Sequence, residues 1–296
     1  MAAKDYTGIF EPSKTPRRVV PDMLTFLAKD AFTLPQLLLL GALCQIAIFS
    51  ILPARYALLP TLLLLLHSIV STTLQATSPA RNTFLNGVIK SRTSAVLPEA
   101  TYSPDPAASS PLFGSRPAAS PIVVLHLGVR LNHPLGPLAP GAAEATKHFI
   151  ACSVELARRA SDFGCVGQTT WRAAERASNN TLMTVFYFRD VAGLHAFAHD
   201  AVHRAAWDWI GRFARETGHS HIGIFHETFV SAPGGYETIY HNMPPLLLGA
   251  ANVRVTNEGT GETEFVVPLV DADVPTLRSQ YGRMDRMPNG EPVQRS

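Results

Sequence analysis

Between residues 31 and 80 the chain carries one charged side chain, Arg55. Soluble helices show a polar face, whereas a membrane-spanning helix needs about 20 mainly apolar residues. Residues 34–52 and 57–74 supply two such spans, joined by Pro53, Ala54, Arg55 and Tyr56. Pro35 and Pro60 fall near the start of each, where a missing N–H matters least. The polar segment 1–30 is too long for the head of a cleaved signal peptide. It holds Lys4, Lys14, Arg17, Arg18 and Lys29, and Arg81, Lys90 and Arg92 follow the second span. Positive charge at both outer ends places both termini in the cytosol with a tight lumenal turn. The expectation is a transmembrane hairpin over residues 31–80 in the endoplasmic reticulum membrane, with the globular part cytosolic. Gln45 and His67 could pair with each other or with headgroups.

Residues 93–120 are rich in Pro, Ala and Ser and lack helical or strand period. Such a composition buries little apolar surface, so a mobile linker is expected there. From residue 121 the pattern becomes globular. Val123, Leu125, Leu127, Val129 and Leu131 form one apolar strand face, while Ile122, Val124, His126, Gly128 and Arg130 grade from apolar to polar on the other. A helix follows over residues 142–160, then strands at 166–171 and 181–188. Asp190 is an N-cap for a long helix whose stripe runs Leu194, Phe197, Ala198, Ala201, Val202 and Ala205. A last strand starts near His219 and alternates through Val230. The order βαββαβ predicts a ferredoxin-like α+β domain over residues 121–250: a four-stranded antiparallel sheet with two helices on one face. The other face is expected to be bare and of mixed apolar character, so that two copies pack sheet to sheet as a homodimer. Residues 251–296 read as a polar tail, with one edge strand at 265–270.

A formal net charge of +2 with no basic stripe gives no reason to expect nucleic acid. Cys44, Cys152 and Cys165 form no disulfide framework, which favours a reducing compartment. Dinucleotide, P-loop, nucleophile-elbow and zincin motifs are absent. His195, His199 and His203 recur at helical spacing, and His219 and His221 share a strand face. Without a carboxylate or cysteine at ligand spacing they are read as solvated, and no metal is expected. His226 lies among Ile222, Ile224 and Val230, so its ring should be partly buried and neutral, able to take a proton; the alternative is a core histidine bonded to a neighbour. Glu227 points to the opposite face. Tyr240 and Asn242 could hold a carbonyl or enolate oxygen, or simply cap a turn. The candidate catalytic set is thus His226, Tyr240 and Asn242. Trp171, Trp207 and Tyr236 are the candidate walls of an apolar substrate pocket, with plain core packing as the alternative.

The segments YFRDVAGLHAFAHDAVHRAAWDW and HIGIFHETFVSAPGGYETIYHNMPPLLLGA resemble fungal membrane-tethered monooxygenases related to antibiotic-biosynthesis monooxygenases, of the fumagillin-pathway type. Residues 187–189, the pair His226 and Glu227, and residues 240–244 carry the likeness. The resemblance implies a dimeric α+β barrel with a pocket between sheet and helices. It implies an oxygenase needing neither flavin, haem nor metal, with O2 as co-substrate, acting on a lipophilic polyketide or terpenoid. It transfers no catalytic set residue by residue. Two other readings stand beside it: a haem enzyme similar to aldoxime dehydratases, with His226 or His203 as axial ligand, and a non-enzymatic carrier of a hydrophobic metabolite.

Overall fold

The computed structural model describes residues 5–17, 32–105, 110–173 and 181–294. The expected polar segment 1–30 therefore lies partly outside the described residues. Helices α1 (Leu34–Ile51) and α2 (Leu59–Thr77) are long and apolar enough to cross a membrane, and none of their residues is buried. Both take a proline in the first turn. Gln45 does not pair with His67. Its Nε2 donates to the Ala57 carbonyl at 3.0 Å and its Oε1 accepts from Thr61 Oγ1 at 2.6 Å. Its amide thus links the two helices, with both its donor and its acceptor satisfied.

After the hairpin come β1 (Ile89–Ala95), β2 (Thr101–Tyr102), β3 (Ile122–Leu131), α3 (Ala142–Arg158), β4 (Cys165–Arg172) and β5 (Thr181–Phe188). The expected long helix is two, α4 (Val191–Ala198) and α5 (Ala201–Thr217). Asp190 caps the first, accepting from the Gly193 N–H at 2.7 Å, as its position predicts. Asp200 restarts the second by accepting from the Val202 N–H. A second strong cap inside the apolar stripe divides the helix. The strand β6 (Ile222–Ser231) completes a sheet in the order β4-β5-β3-β6. β3 runs antiparallel to both neighbours. This is the ferredoxin-like α+β unit that the order of elements predicts. Val123, Phe186 and Phe188 face Leu156, Phe163 and Phe197 in the core beneath the helices.

The chain beyond β6 departs from expectation. It continues as β7 (Tyr240–Met243), a 3-10 turn at Leu247–Ala250, β8 (Val253–Asn257), β9 (Thr263–Val266), β10 (Leu269–Asp271) and α6 (Gln280–Arg283). Two small sheets form, β10-β1-β7 and β2-β8-β9. The stretch expected as a mobile linker supplies part of β1 and all of β2, and Val96, Tyr102, Phe113 and Ala118 are buried. The expected tail is likewise folded, with Val253, Val266, Leu269 and Val270 among its buried residues. Strands two residues long cannot stand alone, and β2 takes its ladder from Thr256 and Asn257. Composition within either segment could not show a partner that distant. Residues 5–17 join the same layer: the Ser13 and Phe265 backbones exchange hydrogen bonds, and Ile9 donates to Leu269.

This layer covers half of the sheet face that was expected to be bare. Ile122, Val185 and Tyr187 pack against Leu97, Leu248, Ala251 and Val253. A Cβ on Gly167 would stand 2.8 Å from Ala251 Cβ, so only glycine lets the turn seat on β4. The β6 side of that face stays uncovered, and Phe225 and Phe229 are exposed there.

Candidate functional site

Cross-strand pairing assigns each side chain to a face. Tyr187 lies opposite Val124, Val185 opposite His126 and Thr169, and Trp171 opposite Met183. His126 is also paired with Glu227, and Val124 with Phe229. These residues share the face turned away from the helices. Where the second layer ends, three phenols gather: Tyr187, Tyr236 and Tyr240 belong to one apolar cluster with Val124, Met183 and Leu247.

Two of the phenols, Tyr187 and Tyr240, are bonded to backbone, and the third is held through its loop. Tyr240 Oη accepts from the Gly249 N–H at 3.1 Å. A Cβ on Gly249 would fall 2.8 Å from Leu269 and 3.1 Å from the Tyr240 ring, so a larger residue would push the turn off its phenol. Leu247, which opens that turn, sits at φ 52°, a left-handed conformation that a γ-branched residue rarely adopts. Strain of this kind persists where surrounding packing holds it and clusters at binding sites. Tyr236 rides on the loop after β6. The Gly234 N–H donates to Ala118 O, Arg286 Nε donates to Gly234 O at 2.7 Å, and Arg283 Nε donates to Glu237 Oε2 at 2.6 Å. Thr238 is bound by Ser94 and by the Ala95 N–H. Both the second layer and the C-terminal segment thus fix where this phenol points.

The Tyr236 hydroxyl is buried, yet it has no hydrogen-bond partner among the described residues. Leaving a buried hydroxyl unpaired costs about 1–3 kcal/mol. Burial pushes its pKa up to about 12. Burial also raises Tyr187 and Tyr240, against which backbone bonds from Leu248 and Gly249 act. At neutral pH all three phenols are protonated, so they can donate to an oxygen rather than accept a proton.

The other candidates fall elsewhere. His226 pairs with Leu127 and so faces the helix side, where it is exposed; its expected burial is corrected. The buried core on that side draws no residue from β6, an edge strand that the helices leave uncovered. Asn242 is also exposed, at φ 52°, with its amide 3.3 Å from His241 Nε2. An asparagine tolerates the left-handed region, and the β1–β7 register shifts beside it, so the backbone explains this amide. Trp207 is 61% exposed on α5, away from the phenols. Trp171 is 42% exposed, on the same face as Met183 at the rim of the cluster. Tyr236 and Tyr240 are therefore brought together, and His226, Asn242 and Trp207 are not.

Two residues were not among the candidate site residues, although residue 187 falls in a stretch that carries the family likeness. Tyr187 reads as ordinary strand, and only the register shows which face it takes. His126 is half-buried, its ring 5.5 Å from that of Phe229, and it stands across from Glu227. The turn from apolar to polar along the even positions of β3 was the available signal for it. Among the described residues no group of three or more His, Cys, Asp or Glu is gathered to hold a metal ion.

A curated relative, "Monooxygenase af470" of Aspergillus fumigatus, is 36% identical over 279 residues, spanning 94% of this chain and 97% of the relative. The chain belongs to the af470-like monooxygenase family. The family model, "Monooxygenase af470-like", matches residues 122–248, from the first strand of the ferredoxin-like unit to the turn that meets Tyr240. Membership makes the chain a monooxygenase. Among solved structures, SnoaB, a cofactor-independent oxygenase from Streptomyces nogalater, is 19% identical with a TM-score of 0.26, covering 36% of this chain and 90% of its own. The aldoxime dehydratase OxdRE is 17% identical with a TM-score of 0.34, covering 50% of this chain and 33% of its own. Likeness at that level supports no functional statement.

Proposed function

We propose that the chain is a membrane-anchored monooxygenase. Its substrate would be a lipophilic polyketide or terpenoid bearing a carbonyl or phenol oxygen, bound on the open sheet face against Tyr236 and Tyr240. The observation that carries this is the buried Tyr236 hydroxyl, fixed in place and without a partner. A substrate oxygen that gains negative charge as the substrate loses a proton would complete its hydrogen bonding, an arrangement worth most when water is excluded. Tyr240 and Tyr187 lie in the same wall. His126, beside Glu227, is the imidazole on that face and the proposed proton acceptor. The substrate would supply its own electrons: a ring CH2 with O2 gives C=O and H2O, so neither flavin, haem nor metal is required.

The anchor reading rests on the charge-free helices and on the docking of residues 5–17. That segment precedes the hairpin and β1 follows it, yet both belong to one folded layer. An even number of crossings satisfies this, and the flanking basic residues favour the cytosolic face of the endoplasmic reticulum. A homodimer is proposed through the uncovered half of the sheet, where Phe225 and Phe229 are 40% and 52% exposed. Phe229→Glu should then yield monomers in analytical ultracentrifugation.

Full-length protein in neutral detergent, given hydroxylated aromatic polyketides and polyenes under 18O2, should place one labelled oxygen in the product. Tyr236→Phe should reduce that incorporation at least a hundredfold. No label with or without a reductant would refute the oxygenase reading, and a Soret band in active protein would replace it with the haem alternative.

A further inference from the structure

A second candidate site lies at the β4 edge of the sheet. There the loop after α3, the start of β4, the end of β5 and β8 line a half-open cavity of about 240 Å³. Ala100, Ala160, Cys165 and Val166 give it apolar walls, and Arg189 and Arg254 both line it. We propose that this cavity binds an oxyanion, the phosphate or carboxylate end of a small molecule or lipid. This reading is independent of the tyrosine site.

The two guanidiniums arrive from separate strands and have different holdings. Arg254 is fixed: Nη1 donates to Ser161 Oγ at 2.7 Å and Nη2 to the Arg158 carbonyl at 3.3 Å, while Nε is buried with no acceptor. Arg189 has no side-chain hydrogen bond or ion pair among the described residues, although its backbone N–H is anchored to Gly164 O at 2.8 Å. Burial works against its charge, which lowers its pKa, and Glu99 and Asp190 oppose this only through space. Asp190 is already engaged as the cap of α4. The thiol of Cys165 is pushed up to about 12 by burial, so it adds no competing negative charge.

A partly desolvated guanidinium with no acceptor is unfavourable, and a planar fork of N–H donors matches the geometry of carboxylate and phosphate oxygens. The volume decides what can enter. Sites for whole organic ligands run to roughly 300–1,000 Å³, so this one takes a head group and leaves the rest of its bearer outside.

The test uses full-length protein in neutral detergent, titrated calorimetrically with sodium phosphate, sodium acetate and sodium chloride at equal ionic strength. Phosphate or acetate should bind saturably and chloride should not. Arg189→Gln should weaken binding at least tenfold. Arg254→Lys, which keeps the charge and packing but loses the fork, should weaken it severalfold. Circular dichroism of each unliganded variant separates loss of the site from loss of the fold. Short-chain phosphatidic acid, set against phosphatidylcholine, distinguishes a lipid headgroup from free phosphate. Equal heats from chloride, or full affinity in a folded Arg189→Gln variant, would overturn the proposal.

Discussion

The two faces of the central sheet are closed in different ways. Under the helices Val123, Phe186 and Phe188 meet Leu156, Phe163 and Phe197, and the buried Thr184 hydroxyl on that face is paired with Thr170 at 2.8 Å. On the opposite face Ile122, Val185 and Tyr187 are covered by residues from both ends of the chain, and three phenols stay within the cover. One face is filled as a core; the other is walled along half its width and keeps donors at the wall. The most severe way to break this contrast is to end the chain after Ala250. β1 then loses β10 and β2 loses β8, uncovering Val185 and Tyr187. The globular part should lose its cooperative melting transition in near-ultraviolet circular dichroism. A truncated protein that melts like the intact one would show that this layer is no cover at all.

Next in size is the ion pair that ties the C-terminal segment to the Tyr236 loop. Arg283 and Glu237 side chains are 8% and 21% exposed, and Arg283 also donates to the Leu277 and Arg278 carbonyls. Removing one partner of a buried pair leaves an uncompensated charge, so Arg283→Met should cost about 3–5 kcal/mol in urea melts. Phe186→Ala on the helix face should cost about the same, through a cavity. Activity should separate them at temperatures where both are folded. The Arg283 variant releases the loop that aims Tyr236 and should lose more of kcat/KM than the Phe186 variant.

That difference also explains what could be read from the chain. The helix face is local: Val123, Leu125 and Leu127 alternate on one strand, and Leu194 and Phe197 recur at helical spacing, so period alone places them. Thr181–Phe188 came out at its expected ends. The second layer is not local. Ala95 pairs with Leu269, and Tyr102 with Asn257, across more than 150 positions of sequence. Two- and three-residue strands carry no period, so residues 93–120 looked unstructured and residues 251–296 looked like a tail with one edge strand at 265–270. His226 misled for a related reason. Alternation gives the faces of a strand correctly, but it does not reveal that the strand is an edge reached by neither helix.

Tyr236→Phe is the sharper probe of the walled face. Loss of a hydrogen-bond donor to a developing oxyanion typically lowers kcat about 10²–10³-fold. Because that hydroxyl has no partner, its removal should leave stability unchanged or raise it, by up to about 1–3 kcal/mol. A matching loss of stability would mean the hydroxyl is bonded within the fold. Alkaline pH reads the same group. Folded Tyr236 keeps its proton to about 12, from an ordinary value of 10.0. The folded state thus holds a proton that the unfolded state sheds, so the contribution is full below pH 10 and is lost as pH rises to about 12. The phenylalanine variant should flatten that decline by about 1.4 kcal/mol per pH unit.

The smallest expected effect is that of His226→Ala, set against a second histidine on the adjacent strand. His226 sits opposite Leu127 on the helix side, and His126 opposite Glu227 on the open side, one residue further along the ladder. His226→Ala removes an exposed ring from an edge strand, and surface changes of that kind stay within about 0.5 kcal/mol. Its kcat/KM should also be close to that of the intact protein. His126→Ala should lower kcat/KM by the 10²–10⁴-fold typical of a lost general base. If the effects were exchanged, the reaction would lie between sheet and helices, and the phenols would be packing. The open face is then judged by one imidazole against its neighbour, with fold and stability held nearly constant.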